Sequence, residues 1–200
     1  MKKLGGRTTS EDYNRIFFEK SRDEVDERRW KLLMSKWGGG KLIDLGCLDS
    51  LIPVLALEKY DESEAWGLDY ANEAIQEMRE RYPQVNYRIG DVYETGFIDG
   101  YFDYVVAGEL IEHLEDPQRF LKEAFRILRK GGIFALSTPL DEAREPGAVD
   151  GDHHVWSFEE TDITEMLSPH GIVETKILRT KDFPGERYVF PMILAFCAKT

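Results

Sequence analysis

"KLIDLGCLDSLIP", residues 41–53, decides the fold. Leu42, Ile43 and Leu45 have strand character, and the run passes Asp44 into one glycine, Gly46, and a turn. "LIPVLALEKY", residues 51–60, then reads as a helix, because Pro53 falls in its first turn, where no N–H is needed. Strand, glycine turn and helix in this order open a nucleotide-binding βαβ unit. Such loops usually carry two or three glycines; this one has Leu48 and Ser50.

The alternation continues outward. "AWGLD" reads as a second strand, "NEAIQEMRERY" as a helix stopped by Pro83, and "VNYRIG" as a third strand. "YFDYVVAG" is apolar enough to lie in the middle of a sheet. "DPQRFLKEAFRILRKGG" has Asp116 as N-cap, Pro117 at N1 and an apolar face of Phe120, Leu121, Ala124, Phe125 and Leu128. Lys130 and Gly131 are expected to close it. "IFALSTP" is a fifth strand. Residues 140–155 read as a loop and "SFEETDITEMLSPHG" as a helix. "IVETKILRT" and "RYVFPMILAFCAK" form an antiparallel hairpin joined by "KDFPGE". Before the first strand, residues 10–37 read as helical, with "GGG" at 38–40 ending them. Strand–helix alternation implies a parallel sheet with helices on both faces, and an antiparallel strand is an allowed addition. The expected organisation is one α/β domain over residues 1–200, with a helical cap at 1–39 and a Rossmann-like core at 40–200.

In an open parallel sheet, ligands bind beyond the C-terminal strand ends where strand order reverses. The strand ends offer Asp44, Gly46 and Cys47; Asp69 and Tyr70; Gly90, Asp91 and Val92; and Ala107, Gly108 and Glu109. An acid stands at or just past each. Gly46 lets a ligand approach backbone. Asp69 follows Gly46 by 23 residues, near the spacing at which an acid takes ribose hydroxyls in dinucleotide folds. Asp91 has the chemistry to accept from an adenine amino group.

"DLGC", "GLD", "GD", "FDYVVAGELIEHL" and "LRKGG", in this order, resemble the class I S-adenosylmethionine-dependent methyltransferases over about residues 40–140. The resemblance implies a Rossmann-like three-layer sandwich whose seven-stranded sheet has the order 3-2-1-4-5-7-6, strand seven antiparallel. It also implies S-adenosylmethionine as cofactor. Asp44, Gly46 and Cys47 would then belong to the cofactor site, with Gly46 and Cys47 lining the methionine part. Asp69 and Tyr70 would sit at the ribose, and Asp91 and Val92 at the adenine. Ala107, Gly108 and Glu109 would form the wall near the sulfonium.

"ELIEHL" places Glu109, Glu112 and His113 at i, i+3 and i+4, so one helical turn would project all three from one side. "DGDHHVWSF" adds His153 and His154. Glu112, His113, His153 and His154 are the catalytic candidates, serving as a base for an acceptor hydroxyl or amine. A divalent metal is a possible extra ligand there but is not the favoured reading. The Glu-x-x-Glu-His character resembles ubiquinone-type O-methyltransferases. It also resembles, in part, the metal-assisted small-RNA 2′-O-methyltransferases.

The net charge of −12 disfavours nucleic acid and suits a neutral or cationic small ligand. Only Cys47 and Cys197 occur, with no disulfide or metal spacing, which suits a reduced cytoplasmic setting. No apolar run is long enough to span a membrane, and "MKKLGG" carries no secretory pattern. The expected activity is transfer of a methyl group to a small-molecule acceptor, with oxygen preferred. The alternatives are a non-catalytic scaffold of the same fold with a degenerate loop, or the RNA enzyme. An oxidoreductase using a dinucleotide is less favoured, since the turn lacks the glycines a pyrophosphate needs.

Overall fold

The computed structural model describes residues 1–3, 24–140, 154–179 and 191–200. Seven strands form the sheet: β1 Lys41–Leu45, β2 Glu64–Asp69, β3 Asn86–Ile89, β4 Phe102–Gly108, β5 Leu128–Pro139, β6 Gly171–Leu178 and β7 Met192–Lys199. Their spatial order is β3-β2-β1-β4-β5-β7-β6. The first five run parallel, and β7 is antiparallel to both neighbours. This is the order and handedness of pairing that the family resemblance implied. β1 and β4 are buried almost throughout, as central strands covered on both faces should be.

The helices are α1 Glu24–Leu33, α2 Ile52–Lys59, α3 Asn72–Arg81, α4 Pro117–Ile127 and α5 Glu160–Leu167. One face of the sheet is covered by α1, α2 and α3. Trp30, Leu33, Met34 and Trp37 pack there with Leu42, Tyr104, Leu194 and Phe196. Ile75 and Met78 of α3 join Cys47, Val54, Val85 and Tyr87. The other face is covered by α4 and α5, through Phe120, Leu121, Ala124, Phe125, Ile163 and Leu167. Three layers result, each helix burying one apolar stripe. The helical cap read at 10–37 is present as α1 and a following turn, which the Tyr104 hydroxyl fastens by donating to the Leu33 carbonyl at 2.6 Å. Residues 10–23, with Tyr13, Phe17 and Phe18, lie outside the described residues, as do residues 141–153 and the linker "KDFPGE".

The close of α4 differs from expectation. The helix ends at Ile127, and Leu128 is already extended at φ −75°, ψ 131°. Lys130 and Gly131 belong to a bulge at the start of β5, because Phe102 faces Leu128 while Tyr104 faces Ile133. Gly131 accommodates it at φ 74°. The physical reason is non-local. Lys199 of β7 donates from Nζ to the carbonyls of Phe125 and Leu128, both at 2.7 Å, and so caps the helix from another strand. A second unexpected feature is the pairing of Lys2–Lys3 with Trp156–Ser157.

The N-terminus of α4 is as read. Asp116 Oδ1 accepts the Arg119 N–H at 3.0 Å, and Pro117 follows it. Asp116→Ala is expected to lower stability by about 1 kcal/mol, seen as an earlier urea midpoint at unchanged slope. An unmoved midpoint would show that water replaces this cap at no cost.

Candidate functional site

Strand order reverses at β1, which lies between β2 and β4. The crevice past these strand tips is bounded by the turn after β1 and the turn after β4. Among the described residues, two without a glycine's freedom have positive φ: Leu48 at 43° and Glu109 at 52°. They follow the two adjacent tips. Left-handed backbone costs an ordinary residue roughly 1–2 kcal/mol. Such strain collects where surrounding structure holds a site in shape.

What holds Leu48 is Asp69. The Leu48 N–H donates to Asp69 Oδ2 at 2.9 Å, and the Ala71 N–H donates to Oδ1 at 2.8 Å. The N–H groups of Gly46 and Cys47 both donate to the Leu68 carbonyl. Ser50 accepts the Ile52 N–H at 3.1 Å and so supports the start of α2. The two residues that replace glycines therefore each have a backbone task, and the turn keeps its form by hydrogen bonds. Gly46 remains obligatory: it has φ 70°, and a Cβ on it would lie 2.6 Å from Leu110 Cδ1.

Asp44, next to last in β1, is 2% exposed, and its Oδ2 is buried with no hydrogen-bond partner. Burial pushes its carboxyl up to about 7; the Ser50 hydroxyl opposes this and the Asp69 charge adds to it. Burial also raises Asp69, against the N–H bonds from Ala71 and Leu48.

The remaining cofactor candidates divide. Cys47 is a core side chain among Val54, Ile75 and Met78, with its thiol pushed up by burial, so only its backbone lines the turn. Asp69 likewise faces the turn and is buried; Tyr70 beside it is exposed. Asp91 is exposed and accepts the Tyr93 N–H at 2.8 Å, while Val92 is buried. Ala107 is in the core, and Gly108 lies under Leu33 of α1, whose Cδ1 would be 3.1 Å from an added Cβ.

After β4 the expected single helical turn does not form. The 3₁₀ turn spans Ile111–His113, and Glu109 precedes it in left-handed conformation. Glu109 is thereby turned toward β5: Oε1 accepts from Ser137 Oγ at 2.8 Å, and Oε2 lies 3.8 Å from Arg29 Nη1. Glu112 is buried, and its Oε2 accepts from Thr138 Oγ1 at 2.9 Å. Its Oε1 is buried with no hydrogen-bond partner. Burial and the Glu109 charge hold its carboxyl well above the ordinary range, with His154 opposing.

His154 is brought to this turn from a distant segment. The Val155 N–H donates to the Glu112 carbonyl at 2.7 Å, and Trp156 Nε1–H donates to the Leu114 carbonyl at 2.7 Å. The His113 and His154 rings meet edge-on with centroids 4.7 Å apart. Ligand atoms of Glu112, His113 and His154 lie within 4.8 Å of one another. His153 lies outside the described residues. Three of the four catalytic candidates thus converge. Arg29, Ser137 and Thr138 were missed; the polar pair ending the apolar strand "IFALSTP" was the available signal.

Residues 43–136 match the family model described as a methyltransferase domain. A protein of Mycolicibacterium smegmatis, named a probable S-adenosylmethionine-dependent methyltransferase, is 37% identical over 107 residues, covering 52% of this chain and 42% of that protein. The chain spans about four tenths of the length of such curated relatives. Among solved structures, a methyltransferase of Thermotoga maritima, described as a possible histamine N-methyltransferase, superposes with TM-score 0.70 at 16% identity. That alignment covers 96% of this chain and all of the other. The Haemonchus contortus phosphoethanolamine N-methyltransferase 2, solved with S-adenosylhomocysteine, gives TM-score 0.68 at 14% identity over 95% of this chain and 56% of the other. These structures show a shared Rossmann-like fold.

Asp44 supplies a pH test. Its carboxyl is raised in the folded chain, so the folded state holds the proton more tightly than the unfolded one. The stability this gives is complete below 3.8 and is lost as pH rises to about 7. In cofactor-free protein, the stability of Asp44→Asn should therefore gain on wild type across that window, by up to about 4 kcal/mol. Parallel stability curves for the two proteins would contradict it.

Proposed function

We propose that this protein methylates an oxygen of a small-molecule acceptor, using S-adenosylmethionine as methyl donor. The observation that carries the reading is the pairing of two things at one switch point. One oxygen of a buried carboxyl group, Asp44 Oδ2, has no partner beside the Gly46 turn, and a carboxylate–imidazole cluster follows the neighbouring strand. The methyltransferase-domain match over residues 43–136 supports the same assignment.

When bound, S-adenosylmethionine supplies an activated methyl group on a sulfonium. The residues present suit it. Asp44 Oδ2 suits a cationic group in a site that otherwise leaves it without a partner. Gly46 keeps the turn free of a side chain, with Leu110 packed against it. Asp69 is a positioning residue, holding the turn through Leu48. Exposed Tyr70 and Asp91 are the groups placed to meet the adenosine. Gly108 and Glu109 border the reacting centre.

For transfer, the chain aligns the acceptor oxygen, methyl carbon and sulfur. The new oxygen–carbon bond forms as the carbon–sulfur bond breaks, and sulfur keeps the electron pair. The acceptor's proton leaves on the side of Glu112, His113 and His154. A neutral hydroxyl needs such help, and this cluster is the reason for preferring oxygen. The strongly acidic chain favours a small acceptor over nucleic acid. Both cysteines are free, which accords with a reducing, cytoplasmic setting.

A thermal-shift series tests the reading. S-adenosylmethionine and S-adenosylhomocysteine should raise the melting temperature, by about 2.7 kcal/mol of added stability at a hundredfold excess over Kd. NAD should not. Stabilisation by NAD alone, or by none of the three, would remove the assignment. With an acceptor in hand, His154→Ala should lower kcat by about a hundredfold while leaving S-adenosylhomocysteine affinity unchanged.

A further inference from the structure

We infer that β6 is the association surface for a second copy of this chain, the two copies pairing β6 with β6 antiparallel about a two-fold axis at Thr175. Among the described residues β6 is the last strand on its side of the sheet, hydrogen-bonded to β7 alone. Two bonds fix the phase of the ladder. The Thr200 N–H donates to the His170 carbonyl, and the Leu140 N–H donates to the Pro191 carbonyl. Counted along the antiparallel registers, Ile172, Glu174, Lys176 and Leu178 turn their backbone groups toward β7. Val173, Thr175 and Ile177 therefore turn theirs outward, and among the described residues no strand pairs with them. A row of such groups is a template for another strand.

The side chains select the strand that fits. Charged residues on an edge ordinarily block pairing, and β6 carries two exposed ones, Glu174 and Lys176. In the register centred on Thr175, Glu174 of each copy faces Lys176 of the other. Opposite charges directly across a ladder stabilise it, and like charges destabilise it. The smallest slide that keeps outward groups opposed is by two residues. It puts Glu174 against Glu174, or Lys176 against Lys176. The same register sets Val173 against Ile177, both partly buried apolar residues on the core, and Ile172 against Leu178. Ile172 is 67% exposed in the single chain, and this pairing gives it an apolar neighbour. The strand is steadied on both faces: Lys36 pairs with Glu174, and Thr175 Oγ1 donates to Glu160 Oε1 at 2.8 Å. A self-complementary contact about a two-fold axis closes at a dimer. One strand pair buries less than a standard interface, so the dimer is concentration-dependent. The inference does not rest on the methyl-transfer reading.

Sedimentation velocity of the full chain over a concentration series tests it. Wild type is expected to pass from one chain to two as concentration rises. Lys176→Glu sets like charges opposite each other at both crossings and should raise the dimer dissociation constant about tenfold. Glu174→Lys should do the same. An equimolar mixture of these two variants restores the opposite-charge pairs and should associate as wild type does. Thr175→Pro removes the central outward N–H and should abolish the dimer. Thr175→Cys should cross-link copy to copy on mild oxidation, because Cα atoms of a hydrogen-bonded pair lie about 5.5 Å apart; both native cysteines are buried. Circular dichroism identifies any variant that has lost its fold, and the charge-variant mixture and the Thr175→Cys cross-link then decide. Wild type that stays monomeric up to about 1 mM, or a dimer that neither charge variant weakens, overturns the inference. So does a mixture that fails to recover association, or a Thr175→Cys dimer that does not cross-link.

Discussion

The Asp69 carboxylate is the fastening on which the site depends. It is buried at the end of β2, yet it reaches across to the turn after β1 and takes the Leu48 N–H on one oxygen and the Ala71 N–H on the other. A turn with one glycine would otherwise have every reason to leave the left-handed conformation. Two charge-assisted hydrogen bonds to one rigid group offset that cost. Asp69 thus links the tips of two adjacent strands and starts α3 from the same carboxylate. Fewer glycines in the turn do not mean a collapsed turn; the constraint has moved from backbone freedom to a side chain.

The second side of the crevice is built differently. After β4 the chain turns through Glu109, spends that residue's carboxylate on Ser137, and then makes a short 3₁₀ turn that buries Glu112. The end of β5 supplies both hydroxyls, Ser137 to Glu109 and Thr138 to Glu112. Consecutive residues of one strand point to opposite faces, and here each serves a different carboxylate. In the proposed methyl transfer, donor-facing groups would come from β1 and β2, and acceptor-facing groups from β4, β5 and the His154 segment. The division follows from the sheet order, since β1 and β4 are neighbours at the switch point.

Much of this was legible in the sequence, and the parts that were not share a cause. Strand and helix positions followed from local alternation. The acids at strand ends were visible because each stands next to an apolar run. Local patterns also single out Glu112, His113, His153 and His154, of which the fold brings Glu112, His113 and His154 within reach of one another. They failed where a distant residue decides. The close of α4 is set by Lys199, not by the local Lys130 and Gly131. The geometry of Glu109 is set by its left-handed backbone, which an i, i+3 count does not contain. Cys47 reads as a site residue from its place in "DLGC", but its side chain faces α3. Asp69 read as a ligand group and is first a fastening for Leu48.

The central claim is that the switch-point hollow, shaped by Asp69 and Gly46, receives an adenosyl sulfonium with its methyl directed toward Glu112. A crystal structure of the complex with S-adenosylhomocysteine tests this most directly. The account predicts the sulfur between the Gly46 turn and Gly108, the amino group at Asp44, and Asp69 still holding the Leu48 N–H. A ligand bound elsewhere, or a Leu48 turn that abandons Asp69 to admit it, would contradict the account.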